Sequence, residues 1–265
     1  CEVGNDLFSH LILEEIERAG ISQDFVVVRD YPLRAVSVSM AYQGERGFVS
    51  YADVHAEKIR HMFDVQAADR EVDRVQDADM LARSLHDMLE RYEFDAAFLY
   101  ATHTMLPLVE MLAQRRQFPI FLDDGWHAET LSQAHILSML RSVTYFMPNQ
   151  SEAIAMTGAS NAQEAAARLA QMTPTAIVKD GPRGVIACQQ GQMLACPALP
   201  IDRVVDTTGA GDAFNGGFIY GILRGYSLPD ALRCGTICGS LSTTALGGAT
   251  AVPTAGELER IRGTM

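Results

Sequence analysis

The sequence has a single tryptophan, five cysteines, and no apolar run that approaches the length of a membrane span. It carries no signal-peptide pattern. No zinc-type spacing links the cysteines. Cys234 and Cys238 fall four apart on a predicted helix, and buried thiols are the simpler reading than a metal or redox pair. None of the seven histidines falls at ligand spacing from a cysteine, and His103 and His127, near predicted strand ends, are read as ordinary. Basic residues are scarce. Lys and Arg number 21 against 33 Asp and Glu, and the net charge of −12 argues against a nucleic-acid or anionic-membrane surface and for small-molecule ligands. No Gly-x-x-x-x-Gly-Lys-Ser/Thr run exists, which excludes a P-loop, and the dinucleotide fingerprint fails because its third glycine falls on Phe214. The first residue is Cys1 rather than Met, and an amphipathic helix begins within a few residues. The expectation is a chain lacking its N-terminal segment, in a reducing cytoplasm.

Among what is present, an apolar content of 48% supports a sizeable core, and 265 residues allow one large α/β domain or two small ones. Asn5 or Asp6 can cap a helix carrying Leu7, Phe8, Leu11, Ile12 and Ile16 at helical spacing and ending at Gly20. A strand-rich stretch follows. Phe25 to Val28 is one apolar run, Ala35 to Met40 alternates, Gly44 to Gly47 makes a turn, and Phe48 to Tyr51 returns. Together they read as a small sheet, about residues 25–52, usable as a lid or as a dimer face. Residues 53–79 read as a charged surface connection with a short helix, and Ala78 to Tyr92 as an amphipathic helix. Strands at 96–100, 119–122, 143–147 and 175–179 then alternate with helices, and 184–196 is a hairpin around Gln189-Gln190-Gly191. This alternation predicts an α/β fold, a mostly parallel sheet flanked by helices on both faces. One domain over residues 1–265 with a small β lid is the economical organisation.

The chain is organised around Val204-Val205-Asp206-Thr207-Thr208-Gly209-Ala210-Gly211-Asp212-Ala213-Phe214-Asn215-Gly216-Gly217. The pattern predicts a short apolar strand, a glycine-rich turn, and an apolar helix from Phe214 to Leu223. Glycines at 209 and 211 allow close backbone approach to a ligand, and several N–H groups at a helix start form a site for a phosphate or a developing anion. Asp212 falls in the first turn, where the helix field favours its ionised form. An anion cradle beside one carboxylate suits phosphoryl transfer, with the carboxylate taking a proton from the attacking hydroxyl. Taken alone, the same residues also describe a glycine-rich turn with an ordinary first-turn acid. In open sheets ligands sit beyond the carboxyl ends of the strands, which selects Asn149, Lys179 and Asp206.

The whole stretch closely resembles the C-terminal signature of the ribokinase-like (PfkB) carbohydrate kinases, Asp-Thr-Thr-Gly-Ala-Gly-Asp followed by a Phe-containing, glycine-rich helix. The resemblance implies a ribokinase-like fold and ATP-dependent phosphorylation of a hydroxyl on a small sugar or sugar derivative. It makes Asp212 the general base and gives the N–H groups of Gly209, Ala210, Gly211 and Asp212 to an anion hole. Asn149-x-x-Glu152 resembles the family motif that places Mg²⁺ and the phosphates, with the side chains acting through water; by itself it is also a capping box. Lys179-Asp180-Gly181-Pro182-Arg183-Gly184 resembles the nucleotide-side loop, with Lys179, Gly181 and Gly184 matching family positions. Thr207 joins the nucleotide side, and Gly247-Gly248-Ala249 resembles the loop near the adenine. Asp206 and Thr208 match part of a monovalent-cation site, which allows K⁺. Asp123-Asp124-Gly125-Trp126 follows a strand end and can line the sugar side, although family members often carry Asp with Asn and Arg there. Family members begin with a strand bearing a sugar-binding Asp and then a Gly-Gly and Asn motif; neither is in this sequence. The resemblance leaves two alternatives beside the sugar kinase: a nucleoside kinase using the same chemistry, and a non-catalytic sugar or nucleotide sensor. The expected partners are the sugar substrate and ATP, with neither nucleic acid nor membrane, and a homodimer formed through the β lid.

Overall fold

The computed structural model describes residues 2–24, 26–33, 35–42, 45–52, 89–90, 92–101, 105–115, 118–124 and 134–264, and divides into two compact units, Cys1–Glu71 and Val72–Met265. In the first unit Asp6 caps helix α1 (Leu7–Arg18) by accepting from the N–H groups of Phe8 and Ser9. Strands β1 (Glu2–Val3) and β2 (Val27–Val28) pair in parallel. Strands β3 (Ala35–Tyr42) and β4 (Glu45–Ala52) form an antiparallel ribbon in continuous register from Ala35 opposite Ala52 to Tyr42 opposite Glu45. The expected turn at 44–47 is therefore shorter, since Glu45, Arg46 and Gly47 already pair in the ribbon.

The second unit is built on side chains that alternate in direction along buried strands. Strands β5 (Ala97–Tyr100), β6 (Ile120–Asp123), β7 (Tyr145–Phe146) and β8 (Thr175–Lys179) run parallel, and β9 (Val185–Gln189) and β10 (Gln192–Cys196) complete the sheet antiparallel, in the order β10-β9-β8-β7-β6-β5. On one face Ile120, Leu122, Ala176 and Val178 pack with helices α2 (Leu106–Arg115), α3 (Ala134–Ser142), α4 (Gln150–Thr157) and α5 (Ala162–Leu169). On the other, Phe121, Ile177, Val185 and Ala187 pack under α6 (Ala210–Leu223) and α7 (Leu228–Ser242) through Phe214, Phe218, Ala231 and Leu232. Burial on both faces is why these strands read as continuous apolar runs. Glycines bring α6 and α7 into close contact: a Cβ on Gly217 would stand 2.6 Å from the Cys234 carbonyl oxygen, and one on Gly221 2.7 Å from Ala231 Cα. Helix α8 (Ala255–Arg262) closes the unit behind a capping box of Thr254 and Glu257.

The mostly parallel sheet with helices on both faces is the fold the alternation predicts. One expected strand is not formed. Val204 and Val205 are 58% and 41% exposed and belong to no sheet, because the N–H groups of Val205 and Asp206 both donate to the Thr243 carbonyl at the end of α7 instead of to a neighbouring strand. The helix after it begins four residues earlier than expected, at Ala210. The connection at 53–79, most of the helix expected at 78–92, and His103, Gly125, Trp126 and His127 lie outside the described residues. Cys234 and Cys238 are buried thiols, and burial pushes them up to about 11 and about 12. Among the described residues, no helix is long and apolar enough to cross a membrane.

Candidate active site

The candidate site lies within the second unit, beyond the carboxyl ends of β5, β6 and β8. Gly209 is the N-cap of α6 and holds φ +71°, a left-handed conformation that costs other residues about 1–2 kcal/mol. A Cβ there would lie 2.8 Å from Gly248 Cα and 3.0 Å from its carbonyl oxygen, so the two glycines face each other across a gap that admits no side chain. Asp206 ties the same two loops together. Its Oδ1 accepts from the Thr208 N–H at 2.9 Å and its Oδ2 from the Gly247 N–H at 3.1 Å. The N–H of Ala210 donates to the Thr207 carbonyl at 3.3 Å, which commits it to the turn. The amides of Gly211 and Asp212 belong to the first helical turn, whose N–H groups find no acceptor within the helix.

Asp212 is exposed, in the first turn of α6, on the wall of a cavity of about 630 Å³ that also includes Thr208, Gly209, Gly248 and Ala249. Its Oδ1 accepts a hydrogen bond from the Tyr100 hydroxyl at 2.8 Å. Burial, then this hydrogen bond and the charges of Asp212 and Asp123, raise the Tyr100 phenol well above its ordinary range, so it stays a donor. Beyond Asp212 the cavity wall is largely apolar, with Ala213, Val252, Pro253 and Leu258.

Beneath the helix start lies a buried polar cluster. Lys179, at the end of β8, places Nζ 2.5 Å from Asp123 Oδ2 at the end of β6 and 3.3 Å from Asn215 Oδ1 on α6; Asn215 Nδ2 donates to the same Asp123 oxygen at 2.5 Å. Asp123 and Asn215 are 4% and 2% exposed. The ammonium group sits beside the first turn of α6, since a Cβ on Gly211 would be 3.5 Å from Nζ. Asp123 was expected on the sugar side and Lys179 on the nucleotide side; they meet as an ion pair.

Asn149 bridges Lys179 across the ends of β7 and β8. Its side chain and that of Glu152 form a reciprocal capping box: Glu152 N–H donates to Asn149 Oδ1 at 3.0 Å, and Asn149 N–H to Glu152 Oε2 at 2.7 Å. Gly181 opens a single 3₁₀ turn ending at Arg183, braced by Arg183 donating twice to Asp180. At Gly184 a Cβ would lie 2.2 Å from the Cys196 carbonyl oxygen, so this glycine is required for packing of the hairpin. The structure thus brings Thr208, Gly209, Gly211, Asp212, Lys179, Asn149, Asp206, Gly247 and Gly248 together. Gly181 and Gly184 have clear structural roles in their own turn. Tyr100 and Asn215 were not singled out from sequence; Tyr100 sits at a strand end like Asn149 and Lys179, which was the available signal.

The profile of the pfkB family carbohydrate kinases matches residues 1–255. The chain belongs to this family. Over 240 residues it is 26% identical to an uncharacterized sugar kinase of Archaeoglobus fulgidus, covering 88% of this chain and 86% of that protein. The fold is that of the ribokinases. A Burkholderia thailandensis nucleoside kinase solved with inosine superposes with a TM-score of 0.74 at 22% identity, over 99% of this chain and 78% of that one. An Arabidopsis thaliana ribokinase solved with ribose and ATP gives 0.71 at 20% identity, over 98% and 80%. This pfkB protein therefore has the ribokinase fold over the described residues.

Proposed function

We propose that this protein transfers the γ-phosphoryl group of Mg·ATP to a hydroxyl of a small sugar or sugar derivative. The observation that carries the reading is the position of Asp212: an exposed carboxylate in the first turn of α6, on a cavity wall, one residue from a glycine that faces the Lys179 ammonium. Asp212 takes the proton of the acceptor hydroxyl. The amides of Gly209, Gly211 and Asp212, the helix dipole and Lys179 hold the negative charge of the phosphoryl group in flight. Thr207, Gly247 and Gly248 shape the nucleotide side. The residues at Asn149 and Glu152 fit a hydrated Mg²⁺, because both side chains are engaged in capping and would reach it through water. When bound, the ion neutralises charge on the phosphates. Asp206 and Thr208 are the residues that would hold K⁺.

A nucleoside acceptor is the second reading, suggested by the nucleoside kinase solved with inosine that shares this fold; the apolar wall of Val252 and Pro253 adjoins Gly248 and Ala249 and goes with the nucleotide side. The test is ADP release from Mg·ATP across a panel of sugars and nucleosides, with Asp212→Ala beside the unaltered protein. Turnover on one acceptor, lowered on the order of 10²- to 10⁴-fold in the variant, is the expected result and names the substrate class. ATP binding without turnover on any acceptor would replace the kinase reading with that of a sensor.

A further inference from the structure

Asp212 is on the first turn of a helix, exposed, with freedom to rotate about χ1. A general base needs one oxygen aimed at the acceptor hydroxyl within hydrogen-bond reach. Among the described residues, the hydrogen bond that its side chain makes is to Tyr100, 112 positions earlier in the chain. We propose that Tyr100 is the positioning residue of this site: its hydroxyl pins Oδ1 of Asp212 and leaves Oδ2 to receive the acceptor's proton. This rests on the assignment of Asp212 as the base.

Three features support the role. Tyr100 is placed rigidly, at the last rung of β5, opposite Asp123 of β6, and the next N–H, that of Ala101, donates to the Asp123 carbonyl at 2.7 Å. The Phe98 ring meets the Tyr100 ring edge-on at 5.2 Å, which limits ring motion. The phenol also keeps its proton across the working pH range, so it cannot exchange roles with the carboxylate as the base. A hydroxyl donor on a strand end thus fixes a carboxylate on a helix start, and neither is held by a neighbour in sequence.

The experiment is a double-mutant cycle on the intact protein with Tyr100→Phe, Asp212→Asn and the pair, using the best acceptor of the panel. Tyr100→Phe is expected to lower kcat about tenfold, the low end for a hydrogen bond to a charged group because the ring is 40% exposed, and to leave KM for ATP within about twofold. In the Asp212→Asn background the same change should cost almost nothing, since there is no base left to aim. Full additivity, an unchanged kcat, or a loss confined to KM would overturn the proposal. Near-full turnover by Asp212→Asn alone would sink the base assignment itself, which separates the two failures. A readout independent of any acceptor is the ¹³Cζ resonance of Tyr100, assigned by its disappearance in Tyr100→Phe. It should move in Asp212→Ala, and a resonance that stays in place would refute the contact.

Discussion

Replacing Gly209 by alanine adds one methyl group, and the structure sets its cost. The residue holds φ +71°, so any side chain carries a left-handed penalty of about 1–2 kcal/mol. The new Cβ also meets Gly248 Cα at 2.8 Å and its oxygen at 3.0 Å, and both are backbone atoms that cannot rotate away. The 247–248 loop must therefore retreat, taking with it the Gly247 N–H that donates to Asp206. For a unit of this size, the conformational penalty alone lowers Tm by about 2–8 °C. Displacing the helix start relative to the reacting groups should reduce kcat by up to about 10²-fold, the scale associated with ångström-level misplacement. Gly216→Ala is the control. It is the same chemical change on the same helix, but nothing lies within 4 Å of the added Cβ, so Ala should stabilise by about 0.5–1 kcal/mol. Differential scanning fluorimetry on both variants reads the contrast in stability, and ADP-release kinetics are compared between Gly209→Ala and the unaltered protein, because Gly216 itself lines the cavity. A Gly209→Ala protein with unaltered Tm and turnover would refute the idea that the two facing glycines set the cradle's geometry.

Two further outcomes follow from buried and paired charges. Lys179→Met strands the Asp123 carboxylate, 4% exposed, and should destabilise by about 3–5 kcal/mol in urea unfolding; Lys179→Met with Asp123→Asn should recover more than half, and an equal loss in both would show that the ion pair is not what matters. Glu259 accepts from the hydroxyls of Tyr226 and Tyr220 and from Arg262, and its carboxyl falls from the ordinary 4.5 to about 2, led by the Tyr226 bond. The unfolded chain then binds more protons between those values. Stability from this group is complete above about 4.5 and lost as pH falls toward about 2, so Glu259→Gln should flatten the Tm-versus-pH curve over that window. An acid limb as steep as that of the unaltered protein would count against it.

Much of the fold is legible because its signals are local. Asn149 and Asn161 cap helices where the sequence places polar residues before apolar runs, and Gln190-Gly191 turns the hairpin with positive φ at both positions. The signature loop is legible for the same reason: its glycines and Asp212 are contiguous. What escapes is pairing across the chain. Asp123, Lys179 and Asn215 are separated by 56, 36 and 92 positions, and Tyr100 and Asp212 by 112. No periodicity encodes such contacts; sheet order creates them. The missing strand at 204–205 has the same origin. Two valines carry strand propensity, but the backbone partner that reaches them is the Thr243 carbonyl rather than a sheet edge.

The register of β5 on β6 has a wider reach than its four rungs suggest. Tyr100 and Asp123 stand on the same rung, one donating to the Asp212 carboxylate and the other anchoring Lys179 under the start of α6. Because side chains alternate along a strand, a slip of one residue would change every rung of β5 on β6 and turn Tyr100, with the rest of the strand's side chains, to the opposite face. Both devices that serve α6 would then lose alignment at once. Turnover thus doubles as a gauge of strand registration, and misregistered molecules, however well folded by helix content, would announce themselves as dead enzyme.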